Sequence, residues 1–288
     1  MVIEKRINFA KMNNSKNSIL LVDPEFDPNT APDCNLLLKI TGDSFSYAVI
    51  DKNSKQLKAV FDRQDCEDTV TELISSLKND SYLRLPFKEI KVSVYTPNTI
   101  TVPNVFFDAQ NLNSYSNFFS EEASGILYSR PFARFGFTSV FNLEQFTEEM
   151  LDTYLSSAAR YEQNAPVLAL APISEGTSLV LDFTAGSFNA LFLHQEKILF
   201  QNCFQIENPE EFNYYLLLLI QELNLNTDCI HVFLSGIIHH DDCYYACLNK
   251  YFSLIQFNLP PADDIDHAIL EDMPAHYYSS LLALDLCV

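Results

Sequence analysis

Two stretches of the chain follow one pattern: LLLKITGDSFSYAVIDKNSKQLKAVFDR (residues 36–63) and TSLVLDFTAGSFNALFLHQEKILFQNCF (residues 177–204). Thr41–Phe45 of the first stretch aligns with Thr184–Phe188 of the second at an offset of 143 residues, about half of the 288-residue chain. Each stretch reads as an apolar strand, a turn of small residues, a second apolar strand, a polar turn and a third strand. Because a repeat at a fixed offset reflects a repeated structural unit, we predict two similar lobes with a cleft between them.

The segments that follow the two stretches also correspond to one another. After the first stretch we predict a helix capped by Asp65 and then a strand over residues 90–97. After the second stretch, Asn208–Glu211 has the residue types of a helix start, and residues 230–236 read as a buried strand. The order β-β-β-α-β-α-β-α, occurring twice, predicts an α/β fold whose parallel strands are joined by right-handed helical crossovers.

Breaks in this pattern set the predicted domain boundaries. The beginning of the chain is interrupted by prolines and reads as a mostly irregular arm with one edge strand at residues 18–23. A polar segment that ends at Pro166 separates the halves, so that Val167–Pro172 opens the second lobe as a buried strand and residues 276–286 close it as a helix. The predicted arm, first lobe and second lobe span residues 1–34, 35–163 and 164–288.

Composition limits where the protein works and what it binds. The sequence contains no apolar run near the roughly 20 residues that span a bilayer, and its N-terminus has no apolar signal region. Seven cysteines without a Cys-x-x-Cys pair fit reduced thiols. The net charge of −20 would repel a phosphate backbone, although such acidity is also typical of cytosolic proteins in general. We therefore predict a cytoplasmic protein with no membrane span and no nucleic-acid partner.

The order of motifs resembles that of the actin-like ATPase superfamily of actin, Hsp70-type chaperones and sugar kinases. Leu181–Ala190 (LDFTAGSFNA) is similar to the second phosphate turn of that superfamily, Phe233–Ile237 (FLSGI) to its adenosine motif, and Tyr278–Leu286 (YSSLLALDL) to its closing helix. The resemblance is closest to the bacterial branch with the cell-division actin homologue and the pilus-assembly scaffold. More narrowly, the chain resembles a family of unknown function restricted to the Bacteroidetes. The resemblance implies two ribonuclease H-like lobes around a central cleft.

The resemblance also implies which residues would contact a nucleotide. These candidate cofactor-binding residues are Thr41, Gly42, Ser44, Asp182, Thr184, Gly186, Ser187, Ser235 and Gly236. The alternative is structural: the glycines only permit tight turns, and Asp182 only caps its own turn.

Four positions depart from the superfamily pattern. The aspartate expected in the first turn is Lys39, and the glycine two residues later is Thr41 in the first lobe and Thr184 in the second. The second glycine of the adenosine motif is Ile237. Because Lys39 replaces an acid and the added Cβ atoms narrow the site, we expect ATP–Mg²⁺, the candidate cofactor, to bind more weakly than about 100 μM or not at all. We assign no catalytic residue and no metal ligand.

Two clusters of metal-friendly side chains lack the spacing of a metal site. His239–Cys243 are consecutive and cannot converge on one ion in a regular element, so Asp241 or Asp242 is expected to cap the next helix instead. The acidic segment Asp263–Asp272 lacks the alternating ligands and the glycine of a calcium loop, and we expect a solvated loop there.

The sequence favours a non-catalytic interaction or scaffold protein whose partners are other cytoplasmic proteins. The alternative is an active ATPase or small-molecule kinase of the actin-like superfamily that uses Asp182, Ser44, Gly186 and Gly236. Such an enzyme also needs a base and a group that organises Mg²⁺, and the sequence offers no clear residue for either role.

We predict the partner surface in the aromatic-rich segment Asp108–Phe137, because aromatic residues are enriched in interface cores. The aromatic residues singled out there are Phe118, Phe119, Tyr128, Phe132 and Phe135. The alternative is that they complete the core of the first lobe.

Overall fold

The computed structural model describes residues 17–122, 125–173, 176–259 and 265–287. The strands are β1 Ser18–Val22, β2 Cys34–Ile40, β3 Phe45–Asp51, β4 Gln56–Arg63, β5 Glu89–Val94, β6 Thr99–Pro103, β7 Leu127–Phe132, β8 Phe137–Asn142, β9 Ala159–Glu162, β10 Thr177–Phe183, β11 Ser187–His194, β12 Lys197–Gln205, β13 His231–Gly236 and β14 Leu254–Phe257. The α-helices are α1 Thr69–Asn79, α2 Gln145–Tyr154, α3 Asn164–Leu170, α4 Pro209–Glu222, α5 Cys243–Leu248 and α6 Ser279–Ala283. Short 3₁₀ helices lie at Pro28–Asp33, Ala109–Phe118, Ala133–Phe135, Ala268–Leu270 and Leu284–Leu286.

Some of the predictions fall outside this range. Residues 1–16 of the predicted arm, and Asp263 and Asp264 of the predicted acidic loop, are not among the described residues. The predicted edge strand of the arm is present as β1. Within the described ranges, no helix is long and apolar enough to cross a membrane.

Each lobe contains one mixed sheet, and the two sheets have the same strand order. The first sheet runs β4-β3-β2-β5-β9, with β1 added beside β4, and the second runs β12-β11-β10-β13-β14. In both sheets the first three strands are antiparallel neighbours, while the last two join in parallel after helical connections. The predicted duplication and the two ribonuclease H-like lobes are therefore confirmed.

The central strands are buried on both faces, which explains why they are apolar almost throughout. In β2, Leu36 and Leu38 pack in one cluster with Leu73 of α1, while Leu37 packs on the opposite face with Leu281 of α6. This alternation follows from the two-residue period of a strand. Each fully buried leucine contributes about 1.5–3 kcal/mol relative to an exposed one, so the pattern fixes both the register and the covering helices.

The lobes meet through α3 and α6, the final helices of the two repeated units, which pack against each other. The predicted strand Val167–Pro172 is wrong, because most of this run lies in α3. A short apolar run does not distinguish a buried strand from a buried helix. Here the Glu162 carboxylate accepts a hydrogen bond from the Asn164 backbone N–H (2.8 Å), and Pro166 stands in the first turn, where proline is tolerated. The boundary placed between residues 163 and 164 stays a prediction.

Of the helix caps predicted at Asn208 and Asp65, the first is confirmed and the second is wrong. Asn208 Oδ1 accepts from the Glu211 backbone N–H (2.9 Å) at the start of α4, as its sequence predicts. The cap predicted at Asp65 is wrong, because Asp68 accepts from the Thr71 N–H (3.0 Å) and begins α1. Asp65 instead has a positive φ of 54° in the preceding turn. Both aspartates are good caps by residue type, so only the backbone path selects between them.

The chain between β5 and α2 forms a third sheet, ordered β6-β8-β7, that contacts the second lobe. Phe137 of β8 lies in one apolar cluster with Val180 of β10. The Arg134 guanidinium donates to the carbonyl oxygens of Ala171 (2.8 Å) and Pro172 (2.9 Å). The inserted sheet therefore connects the first lobe to the second.

The aromatic residues of the segment Asp108–Phe137 do not form the predicted partner surface. Of the five that were singled out, only Phe118 is exposed, at 72%. Tyr128 and Phe132 each stack on an aromatic ring of β8, with ring centroids 5.5 and 5.1 Å apart. The prediction is wrong for this set, because most of these rings complete apolar clusters rather than face solvent.

Candidate functional site

The two repeated turns, Thr41–Ser44 and Thr184–Ser187, face each other between the lobes and are in direct contact. Each turn is closed by the same bond: the backbone N–H of its threonine donates to the carbonyl oxygen of its serine at 2.9 Å. The threonine hydroxyl also lies within 2.7 or 2.8 Å of the serine hydroxyl. The duplicated sequence therefore builds two turns of one geometry.

A row of polar residues crosses each sheet beside its turn. In register across neighbouring strands, the rows are Asp62, Ser46, Lys39 and Ser93 in the first sheet, and Cys203, Asn189, Asp182 and Ser235 in the second. These residues interrupt otherwise apolar strands, and nearly all of them are buried. A buried polar group without a partner is costly, so the partners of the charged members of the rows matter most.

Lys39 and Asp182 make the central contact between the rows. Lys39 Nζ lies 2.5 Å from Asp182 Oδ2 and 2.7 Å from the hydroxyl of Ser280 in α6. The Ser235 hydroxyl donates to Asp182 Oδ1 at 2.6 Å. The two charged side chains are 9% and 1% exposed, and they are 143 residues apart, at equivalent positions of the repeat. Lys39, which the sequence marked only as a lost acid, is therefore the counterion of the predicted site residue Asp182.

Asp43 makes a second contact across the cleft. Its Oδ2 accepts from the backbone N–H of Gly186 (2.8 Å) and from the Thr184 hydroxyl (2.6 Å), and its Oδ1 accepts from the Thr41 hydroxyl (2.7 Å). Beside it, Gln64 accepts from the backbone N–H of residue 185 (2.9 Å). Sequence reasoning missed Asp43, although it stands between two predicted site residues, because no local pattern shows that its side chain crosses to the other lobe.

Little space remains between these contacts. A small cavity lies at this point, lined in part by Lys39, Asp62, Tyr278 and Ser280. The volume in which the centre of a water molecule can lie is about 20 Å³. That is room for one or two water molecules. In this closed arrangement a nucleotide does not fit between the turns.

Burial shifts the pKa of two groups on the cavity wall. Burial raises the pKa of Asp62 to about 6, although the hydrogen bond from Gln64 Nε2 (2.8 Å) and the Lys39 ammonium act in the opposite direction. Burial and the nearby Asp62 carboxylate also raise the pKa of Tyr278. The Tyr278 hydroxyl has no hydrogen-bond partner among the described residues.

Gly236 has a structural role at the end of β13. It has a φ of +80°, and a Cβ added there would lie 2.0 Å from the carbonyl oxygen of Phe183. Its backbone N–H donates to the carbonyl oxygen of His276 at 3.0 Å. Glycine is therefore required at this position by the close approach of β10, whether or not a ligand binds.

The structure brings the predicted site residues together, and their polar groups form hydrogen bonds with neighbouring protein groups. Thr41, Ser44, Thr184 and Ser187 bond within and between the turns, as do Asp182 and Ser235 within the second row. Gly186 receives the Asp43 carboxylate, Gly42 accepts from the Thr69 hydroxyl (3.1 Å), and Gly236 lines the cavity. That these residues bind a cofactor stays a prediction.

The charges at the turns do not fit a nucleotide with Mg²⁺, which the superfamily resemblance implies. Lys39 stands where an acid is expected and is paired with Asp182, the remaining acid. The Asp43 carboxylate occupies the donors of the second turn and would repel a phosphate group. In the part of the chain that the structure describes, no three His, Cys, Asp or Glu side chains are grouped as metal ligands. Asp242 caps α5, accepting from the Tyr245 N–H (2.8 Å), which confirms the capping interpretation of that cluster.

Comparison with known families identifies the chain. Residues 23–255 match the model of the family described as "Protein of unknown function (DUF3822)". The chain belongs to this family. No curated protein sequence matches it significantly. The restriction of the family to the Bacteroidetes stays a prediction.

Several solved structures are similar in fold to this DUF3822 member. A protein of Bacteroides thetaiotaomicron, with an actin-like ATPase fold and unknown function, superposes with a TM-score of 0.72 at 15% identity, over 91% of this chain and 99% of that one. The PilM–PilN type IV pilus biogenesis complex gives a TM-score of 0.56 at 15% identity, covering 88% and 97%. The ethanolamine utilization protein EutJ of Carboxydothermus hydrogenoformans gives 0.50 at 8% identity, covering 93% of each chain. The chain therefore has the actin-like ATPase fold.

We expect the Lys39–Asp182 pair to behave as one unit in a double-mutant cycle. Lys39→Met or Asp182→Leu alone leaves a buried charge without its partner and should lower the free energy of unfolding by about 3–5 kcal/mol. The double variant should be less destabilised than either single variant, because no charge is left. Glu196→Gln removes the exposed partner of Arg134 and should cost less than about 1 kcal/mol. Additive effects of the two core substitutions in urea unfolding would contradict the pairing.

We expect Asp62 to make stability depend on pH. Its pKa of about 6 in the folded chain lies above the ordinary 3.8, so the folded chain binds more protons than the unfolded chain between these values. Stability should therefore fall as the pH rises from about 4 to about 6, and Asp62→Asn should remove up to about 3 kcal/mol of this fall.

Asp51 provides a control of opposite sign for the same pH titration. Burial would raise the pKa of its carboxyl, but the backbone N–H groups of Ser54 and Asn53 lower it overall. Asp51→Asn should therefore remove a loss of stability that occurs as the pH falls. Parallel pH profiles for wild type and Asp62→Asn would show that Asp62 does not titrate as described.

We expect two glycines of positive φ to respond differently to alanine. Gly236→Ala adds a clash with the Phe183 carbonyl to the backbone strain and should cost more than about 3 kcal/mol. Gly136 has a φ of +71° with no atom within 4 Å of an added Cβ, so Gly136→Ala should cost only the strain, about 1–2 kcal/mol. Equal losses of urea stability would rule out the close approach.

Proposed function

We propose that this DUF3822 protein is a non-catalytic interaction or scaffold protein of the cytoplasm. In this proposal the actin-like fold provides a closed, two-lobed body that binds other proteins and does not turn over a nucleotide. The supporting observation is the buried Lys39–Asp182 ion pair, which joins the lobes at the position where the superfamily resemblance implies nucleotide and metal contacts.

The charges of the cleft argue against catalysis. An ATP-hydrolysing or phosphoryl-transferring site needs Mg²⁺ and preorganised donors for the phosphate groups. Here the ammonium of Lys39 uses the carboxylate that would attract a hydrated cation, and Asp43 uses the donors of the second turn. Breaking a buried ion pair costs about 3–5 kcal/mol, which is comparable to the whole binding energy of a ligand at 100 μM, about 5.5 kcal/mol.

The fold and the surface charge are compatible with protein partners. One of the fold neighbours, PilM, was solved in a complex with PilN, so an actin-like body can serve in a protein assembly. The net charge of −20 favours partners with a basic contact surface and disfavours nucleic acid.

A nucleotide titration of the full chain tests this proposal. Calorimetry with ATP, in the presence and absence of Mg²⁺, should give no binding tighter than about 100 μM, and phosphate release should not exceed that of buffer. A nucleotide-binding actin-like protein in the same buffer serves as the positive control. Micromolar binding that Asp182→Ala abolishes would instead support the alternative, an ATPase or small-molecule kinase.

A further inference from the structure

We infer that two copies of this chain dimerise through β12, the outermost strand of the second sheet. The two strands run antiparallel, with Asn202 of each copy on the two-fold axis, and they join the second sheets of both copies into one. This inference goes beyond the proposed function, which concerns other proteins, because it assigns a second copy of the chain as a partner.

Comparison of the two lobes shows that the edge of β12 lacks a neighbouring strand. In the first lobe, β1 pairs antiparallel with residues 59–63 of β4. The equivalent residues of β12 are 200–204, because Phe45 pairs with Arg63 in the first lobe and Phe188 pairs with Phe204 in the second. Among the described residues, no strand pairs with the outer edge of β12. The second sheet therefore ends one strand earlier than the first on this side.

The backbone of β12 has the geometry that accepts another strand. In the first lobe, the carbonyl oxygen of Lys58 accepts from the Asp23 N–H at 2.8 Å, directly after β1. Lys58 is the extra residue of a β-bulge, and Leu199 is the extra residue of the same bulge in β12, so the bulge does not prevent pairing. Because alternate residues of a strand direct their backbone groups to the same side, Gln201 and Cys203 face outward together with Leu199.

The strand β12 lacks the features that protect sheet edges. It has nine residues, whereas the other outermost strands of the two lobe sheets, β1, β9 and β14, have five, four and four. From Ile198 to Ile206 the sequence contains no proline and no charged residue. Short strands, prolines and charges are the means by which monomeric proteins keep an edge unpaired. The length and neutrality of β12 therefore favour pairing.

An exposed apolar surface of α4 adjoins this edge. The ring centroids of Phe204 in β12 and Tyr215 in α4 are 4.8 Å apart, and those of Tyr215 and Tyr214 are 5.4 Å apart. Tyr214 is 63% exposed, and Leu217, on the same face of the helix, is 43% exposed. Apolar residues on the outer face of a helix are typical of a contact surface. Because a two-fold axis perpendicular to the sheet keeps both α4 helices on one face, the dimer covers this surface together with the edge.

The charge distribution favours a second copy over a different partner. The net charge of the chain is −20, but residues 198–206 and 212–221, which include the edge and most of α4, have no charged side chain. Two acidic chains repel each other least where their surfaces are neutral, whereas a basic partner gains most at the acidic surface. An antiparallel edge is also its own complement, since the donors of each strand face the acceptors of the other.

The aromatic residues of β12 select the register. With Asn202 of both copies on the axis, Phe200 lies opposite the second copy's Phe204, on the face that α4 covers. Aromatic pairs across antiparallel strands stabilise a sheet. The Cys203 N–H donates to Asn202 Oδ1 at 2.9 Å in the single chain, and in the dimer it donates to the carbonyl oxygen of the second copy's Gln201. This register joins residues 200–204 of each copy, the span that corresponds to the residues covered by β1 in the first lobe.

Sedimentation equilibrium of the full chain at physiological ionic strength tests the inference. The wild type should form a dimer with a Kd of about 100 μM or tighter, and its mass should not grow further, because a two-fold contact closes on itself. Asn202→Lys places two like charges opposite each other and should weaken the dimer at least about tenfold. Asn113→Lys is the matched control: it makes the same charge change at an exposed asparagine outside the proposed contact and should leave the dimer intact.

Disulfide trapping provides a second readout, which tests the register. In Asn202→Cys the two new cysteines lie directly opposite each other in a pair without hydrogen bonds, with Cα atoms about 4.5 Å apart, which a disulfide can bridge. Mild oxidation should therefore give a covalent dimer. Leu199→Cys is the control, because Leu199 is also exposed but its two copies lie about 20 Å apart along the joined strands. It should give no more covalent dimer than the wild type.

Three results would overturn the inference: a wild type that is monomeric at about 100 μM, equal dimerisation of Asn202→Lys and Asn113→Lys, or no covalent dimer of Asn202→Cys. The trapping experiment decides the matter if Asn202→Lys does not fold. A monomeric wild type would leave the proposed function standing, and wild-type binding of ATP would refute that function without bearing on the dimer.

Discussion

The buried ion pair between Lys39 and Asp182 is the constraint on which the arrangement of the lobes depends. A buried charge without a counterion is costly, and each of these two side chains forms its ion pair with a residue of the other lobe. Because the two residues are equivalent in the repeat, the pair lies where the two polar rows meet. The lobes must therefore stay in contact for either sheet to keep its polar row buried.

Other contacts reinforce this closed arrangement. Helices α3 and α6 pack against each other, and the inserted sheet reaches the second lobe through Phe137 and Arg134. At the turns, Asp43 adds a hydrogen-bonded contact between the lobes. The lobes are therefore connected at three places: the turns, the helices and the insert.

The two lobes share one duplicated plan, but the charged residues at their equivalent positions differ. The two sheets share one strand order, and the turns share one backbone geometry. The first row has Lys39 where the second row has Asp182, and the first turn has Asp43 where the second turn has Gly186. Function depends on such site residues more than on the fold, so the actin-like fold alone does not establish an activity for this chain.

The sequence by itself determined the elements whose signal is local. Strand periodicity, small-residue turns and the cap at Asn208 each depend on neighbours within a few residues, so the duplicated α/β fold and the positions of both turns could be predicted. Tertiary packing decided the rest. The apolar run at Val167 became a helix because it packs against α6, and the backbone path chose Asp68 over Asp65 as a cap. The contacts of Lys39 and Asp43 join residues 143 and 141 to 144 positions apart, and no local pattern records such pairs because only the folded chain brings them together.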